Sequence, residues 1–250
     1  MVYVHESNFN TKITDRNGTY YAKRDVIQEF RDSFYYPTRR ELESLTFDEN
    51  HPASFDRATS IINDYYELIR QFSSKHDIKS QSKFESTFLE EMSVYLFKDL
   101  PQIINGQYDF FNKKIYAGLK VNTDNSVDII TKDVDFCIGK KIDISIDGSA
   151  SKCLILPIVC VEVKTYLDAT MFGEVKSSSK AIRSASPQSK AYVLMGYKDL
   201  ANEHIISARQ DSTLNEMFAL RRDEHSGIDA QTLYDYWKEI TQAVEEATSV

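Results

Sequence analysis

The sequence predicts an α/β (α+β) protein, with a mixed central sheet flanked by helices and a helical region at its N-terminal end. Three observations carry this expectation. Apolar positions recur at helical spacing up to about residue 100. The texture then turns to short β-rich runs punctuated by turn residues, and beyond these a helical stretch lies between two apolar strand-like runs.

In Phe55–Phe72 the residues Phe55, Ile62, Tyr65, Ile69 and Phe72 form one apolar helical face. Lys83–Phe97 repeats the pattern through Phe84, Phe88, Met92 and Tyr95, and Pro101 marks a stop. Strands are expected at Ser126–Ile130, Val134–Ile138, the alternating run Lys141–Asp147, and the long apolar run Leu154–Val163. Gly139 and the Asp147–Gly148 pair read as the turns between them. A helix from about Asp168 to Ser186 ends before Pro187, followed by a buried strand at Ala191–Tyr197 and a further one at Glu216–Leu220. The last helix starts near Asp229 and carries Leu233, Trp237, Ile240 and Val244 on one stripe.

At 250 residues, 42% hydrophobic and 27% charged, the chain suits one large domain or a core with a helical subdomain. No run of about 18 apolar residues exists and the start lacks a signal-peptide pattern, so no membrane segment and a cytoplasmic location are expected. Cys137, Cys153 and Cys160 are read as buried free thiols, being odd in number and without a CxxC pair. The scattered histidines show no zinc spacing. A net charge of −8 argues at first against a nucleic-acid partner. A protein that gathers carboxylates around metal ions can nevertheless be acidic overall and keep a local basic cleft.

The informative stretch is LPIVCVEVKTYLD, residues 156 to 168. Side chains alternate along a strand, so Glu162 and Lys164 share one face while Val161 and Val163 share the other. Alone, that pair reads as an edge-strand salt bridge. Upstream, however, Asp135 opens a short apolar strand in TKDVDFCIG, and a hairpin between the two brings both carboxylates and the lysine to one end of the sheet. Asp133, on the same face as Asp135, is a second candidate; Asp135 is favoured because it adjoins the buried strand residues. Phosphodiester hydrolysis needs such a set: hard oxygen ligands for Mg²⁺, and a lysine to orient water and stabilise the transition state.

These residues resemble the PD-(D/E)XK nuclease superfamily, in the form Asp135…Glu162-Val163-Lys164 and without the proline before the aspartate. The strings KDVDFCIG, LPIVCVEVKTYLDATMFGEV, AYVLMGY and FLEEMSVYLF together resemble type II restriction endonucleases of the BbvCI kind, over roughly residues 85 to 200. The resemblance implies an αβββαβ restriction-endonuclease-like core over 81–250, with a helical region over 1–80 for DNA binding or dimerisation. It also implies a Mg²⁺ centre involving Asp135, Glu162, Val163 and a glutamate of the first core helix. Both Glu90 and Glu91 fit that last place: Glu91 shares a face with Phe88 and Tyr95, and Glu90 follows a hydrophobic residue.

For DNA contact, Lys176, Lys180 and Arg183 form a basic stripe on the helix after the ExK strand. Arg39–Arg40 and Arg221–Arg222 are weaker candidates, better read as structural. The implied activity is site-specific hydrolysis of double-stranded DNA leaving 5′-phosphate ends, by a homodimer or a heterodimer with a related subunit, since one centre cuts one strand. A repair or structure-specific nuclease and a non-catalytic DNA-binding subunit are the competing readings.

Overall fold

The computed structural model describes residues 3–124, 126–145, 151–201, 203, 204, 206 and 213–248. Its central element is β5 (Lys152–Leu167), whose apolar run is what a strand flanked by neighbours on both edges and covered on both faces requires. One edge of β5 pairs antiparallel with β4 (Phe136–Ile144), from Phe136 opposite Val161 to Ile144 opposite Lys152. The short β1 (Asp109–Phe111) pairs with the outer edge of β4.

The other edge of β5 is shared by two neighbours. Near its start, β2 (Ile115–Val121) meets it in parallel at Ile115 opposite Ile155. Farther on, β6 (Lys190–Lys198) runs parallel to it from Val159 to Leu167. The strand β3 (Val127–Lys132) closes a hairpin with β2, and β7 (Glu216–Ala219) lies parallel beyond β6. The sheet is therefore mixed, with α7 (Ala169–Ala185) as the crossover between its two parallel central strands. Asp168 caps that helix by accepting from the Met171 N–H at 2.8 Å.

Other α-helices are α1 (Val4–Thr14), α2 (Arg24–Phe30), α3 (Tyr36–Glu43), α4 (Ala53–Lys75), α5 (Phe84–Phe97), the short α6 (Pro101–Ile104) and α8 (Ala230–Thr248). Of these, α5 and α8 pack against β5, while α1 and α4 pack against α5. One continuous apolar cluster runs from Phe9 through Tyr65 and Phe88 to Val161, Leu194 and Val244. The helical region before residue 80 thus shares its core with the sheet. Among the described residues, no helix is long and apolar enough to cross a membrane.

Three expectations are corrected. Gly139 is not a turn: β4 runs straight through it, and the alternating Lys141 stretch is the outer half of that strand. Gly139 sits at a register shift where a Cβ would lie 2.6 Å from the Leu156 carbonyl oxygen, so close strand approach explains the glycine. Cys153 is exposed at the start of β5, while Cys137 and Cys160 are buried and directly opposite one another. The strands β1 and β2 were not expected, because three residues and the half-exposed IYAGLKV carry no clean alternation. The proposed Asp147–Gly148 turn lies outside the described residues.

Candidate active site

The β4–β5 ladder ends at Phe136 opposite Val161, and β5 continues past it. The next outward amide on that edge, Val163 N–H, donates instead to Asp135 Oδ2 at 2.7 Å. Asp135 therefore stands at the mouth of β4 because its carboxylate completes the strand edge. The same oxygen lies 3.1 Å from Lys164 Nζ, which also reaches Glu162 Oε2 at 3.2 Å. Val161 and Val163 are buried in the core on the opposite face, so the apolar residues of β5 orient the charged ones.

The lysine ties two carboxylates together, and all three side chains are only 15–26% exposed. Burial alone would pull the Lys164 ammonium down, but Asp135 and Glu162 hold it above its ordinary value. Lys164 is thus a cation at neutral pH. Burial, then the charge of Asp135, raises the Glu162 carboxyl, against the pull of Lys164.

The two helix glutamates part company. Glu90 faces the cluster: burial and then the negative charge of Asp135 push its carboxyl up to about 8, with Lys164 and Lys83 pulling the other way. Glu91, fully buried, points to the N-terminal helices. It accepts from Tyr35 Oη at 2.7 Å, from Tyr95 Oη, and from the His5 N–H at 2.8 Å. Its inward position was legible from its helical face; that it turns towards α1 depended on a helix the sequence did not announce.

Asp133 is likewise outside the cluster, exposed and accepting from the Lys114 N–H at 3.0 Å. On α7, Lys176 and Arg183 are half-buried and Lys180 is exposed, with Lys176 Nζ 5.8 Å from the Phe172 ring centroid. Arg39 is held by Glu6 and Glu43 at 2.9 Å each, a structural role. Arg222 is exposed beside Asp223.

Three part-buried carboxylates around one lysine leave an excess of negative charge, with the Glu162 and Glu90 carboxyls raised partly by the charge of Asp135. Hard oxygen donors in that state fit a divalent cation of the magnesium type. Among the described residues no three His, Cys, Asp or Glu side chains stand as a group that could hold a metal ion by themselves. Magnesium does not need one, since it commonly takes one or two carboxylates and keeps several waters.

Two predictions arise here. In the metal-free protein the folded value of Glu90, about 8, lies above the ordinary 4.5. A proton on Glu90 therefore contributes stability that is complete below about 4.5 and lost as pH rises through about 8. Metal-free thermal melts across that window should show this slope in the wild type and a shallower one in Glu90→Gln. Second, a Cβ on Gly196 would lie 2.3 Å from the Thr165 carbonyl oxygen, one residue from Lys164. Gly196→Ala is expected to cost about 1–3 kcal/mol by overpacking and to slow cleavage by displacing β5. Chemical denaturation and a cleavage rate check it.

No curated protein matches this chain. The solved structure described as "native BbvCI A2B2 tetramer at low resolution" is similar in fold, with a TM-score of 0.75 at 16% identity, covering 99% of this chain and 98% of that one. A family model described as Bpu10I restriction endonuclease matches residues 81–248, more than half of the chain and every strand described above. With the fold and this match in agreement, the chain belongs to the Bpu10I restriction endonuclease family and is a type II site-specific deoxyribonuclease.

Proposed function

We propose that the chain hydrolyses phosphodiester bonds of double-stranded DNA at a short specific site with Mg²⁺, leaving 5′-phosphate ends, and that Asp135, Glu162 and Lys164 form its catalytic centre. The observation that carries this reading is the convergence of the two carboxylates on Lys164 at the strand edge, at 3.1 and 3.2 Å. Asp135 and Glu162 would hold the metal, with the backbone carbonyl of Val163 and the carboxylate of Glu90 as further oxygen donors. Bound there, the ion would lower the pKa of a water and neutralise charge developing on phosphorus.

The chain's own residues supply the rest. Lys164 stays protonated beside its two carboxylates, so it acts as a hydrogen-bond donor and not as a base. It is placed to orient the attacking water and to stabilise the extra negative charge of the transition state. Glu90 holds a proton near neutral pH in the metal-free protein and gives it up when a cation arrives. Along α7, Lys176, Lys180 and Arg183 contact backbone phosphates and set the position of the duplex without reading bases.

One centre cuts one strand, so double-strand cleavage needs two. The structure similar in fold is a tetramer of two kinds of chain. That favours assembly of this chain with a related, non-identical subunit over a homodimer. The test is a plasmid digest by the full chain, alone and with its partner subunit, with and without Mg²⁺, followed by end analysis. Metal-dependent fragments with 5′-phosphate ends support the proposal. Metal-independent cutting, or 3′-phosphate ends, would refute it.

A further inference from the structure

Just beyond the catalytic lysine, Thr165 and Tyr166 line a cavity of about 410 Å³. Its other walls include Tyr66 and Arg70 of α4, Tyr197 of β6, and Arg221, just past the end of β7. Arg221 is only 7% exposed. Its backbone is pinned, since its N–H donates to the Gly196 carbonyl at 2.7 Å. Its guanidinium lies 4.3 Å from the Tyr66 ring centroid.

That ring contact supplies no oxygen acceptor to the guanidinium's in-plane N–H donors. Arg221 Nε is buried without a hydrogen-bond partner, and among the described residues no carboxylate forms an ion pair with the side chain. A buried cation with no ion-pair partner is a costly arrangement for a fold to keep for packing alone. The planar fork of arginine suits one class of missing partner best, an oxyanion such as phosphate.

The surroundings agree. Arg70 lines the same cavity, 3.9 Å from Glu85. A second cavity of about 310 Å³ shares Glu85 and Thr165 with the first and adds Lys79 and Lys83. Lys83 is also near enough to Glu90 for its charge to act on that carboxyl. Arg70, Lys79, Lys83 and Arg221 thus line the two cavities beside the catalytic strand together with Glu85 and Glu224, and Lys79 is itself paired with Asp77. In the lining of the first cavity, the Tyr166 and Tyr197 rings stack with centroids 5.9 Å apart.

We propose that this cavity receives a backbone phosphate of the bound DNA strand close to the cut, with Arg221 as its anion-binding group. The inference rests on the nuclease reading above and adds a strand-holding site separate from the α7 stripe. Arg221 would be the first anchor of the strand, and the Arg70, Lys79 and Lys83 side chains its rim.

The test measures binding of the full chain, with its partner subunit where one is needed, to a labelled duplex without divalent metal over a range of salt. Arg221→Gln is expected to lower the slope of log affinity against log salt by about one, the signature of a lost phosphate contact. An unchanged slope overturns the proposal. Should Arg221→Gln fail to fold, the Arg Nε–H signals of ¹⁵N-labelled wild type decide it, with Arg221 assigned through Arg221→Lys. The Arg221 signal should shift on addition of duplex; a signal that stays in place overturns the proposal. Inorganic phosphate is the second arm. If phosphate raises the melting midpoint of the wild type over chloride at equal ionic strength, yet the DNA slope is unchanged in Arg221→Gln, the cavity serves a free anion and the DNA assignment is wrong. A wild type that binds no DNA at all defeats the nuclease reading itself, a result distinct from the others.

Discussion

Lys164→Ala is expected to slow single-turnover cleavage about 10³-fold while leaving the fold intact and the affinity for DNA within a few-fold. The size follows from the kind of group removed: a preorganised donor aimed at developing charge is worth about 10²–10³ in rate. Here the loss sits at the upper end, because Lys164 is also a cation hydrogen-bonded to both Asp135 and Glu162. Without it the two carboxylates repel across a part-buried site, and the Glu162 carboxyl, already raised, rises further. The side chain is 26% exposed, so its loss opens no sealed cavity. Lys164→Arg should rescue only partly, since the planar fork replaces a compact ammonium in a fixed space. Cleavage rates with magnesium, read beside melting midpoints for the three proteins, check both halves of the expectation.

Glu91→Ala is expected to do the reverse: to cost about 3–5 kcal/mol of stability while leaving the catalytic carboxylates in place. Glu91 is where the N-terminal helices are fastened to α5. Its two oxygens take Tyr35, Tyr95 and the His5 amide, and His5 in turn is wedged between Thr87 at 2.8 Å and Tyr65 at 2.9 Å. Burial pushes the Glu91 carboxyl up, and the hydrogen bonds from Tyr95 and Tyr35 and the amides of His5 and Glu6 pull it back. Removing the carboxyl strands several buried donors, each costly to leave unpaired. For a chain of this length the melting midpoint should fall by roughly 6–20 °C. Glu91→Gln should fall less, because one oxygen still accepts. If Glu91→Ala melts like the wild type and has lost its magnesium binding, the two glutamates have been assigned the wrong way round.

The sequence announced most of what positions the site, and its failures have identifiable causes. The strand carrying Glu162 and Lys164 was legible because two charges interrupt an apolar run, and Asp135 because it opens the next buried strand. The long helices α4, α5 and α8 followed from their apolar stripes. The first three helices did not, since VHESNFNTKIT shows almost no amphipathic face; its His5 and Phe9 are held by a pocket supplied from α2, α4 and α5. Choosing between Glu90 and Glu91 was beyond local pattern for the same reason, as the answer lies in where α1 docks. Arg221 looked like one of two ordinary Arg-Arg pairs. Only its burial against Tyr66 separates it from Arg222, its exposed neighbour. Gly139 was mistaken for a turn because a glycine needed for close strand approach has the same letter as one needed to reverse the chain.

The central claim is that Asp135, Glu162 and Lys164 are the catalytic centre, and Asp135→Ala tests it most directly. Digestion of plasmid DNA with magnesium, by wild type and Asp135→Ala at matched fold and DNA affinity, should show metal-dependent cutting by the first and none by the second. Equal cutting by Asp135→Ala would contradict the assignment and place the chemistry elsewhere in the chain.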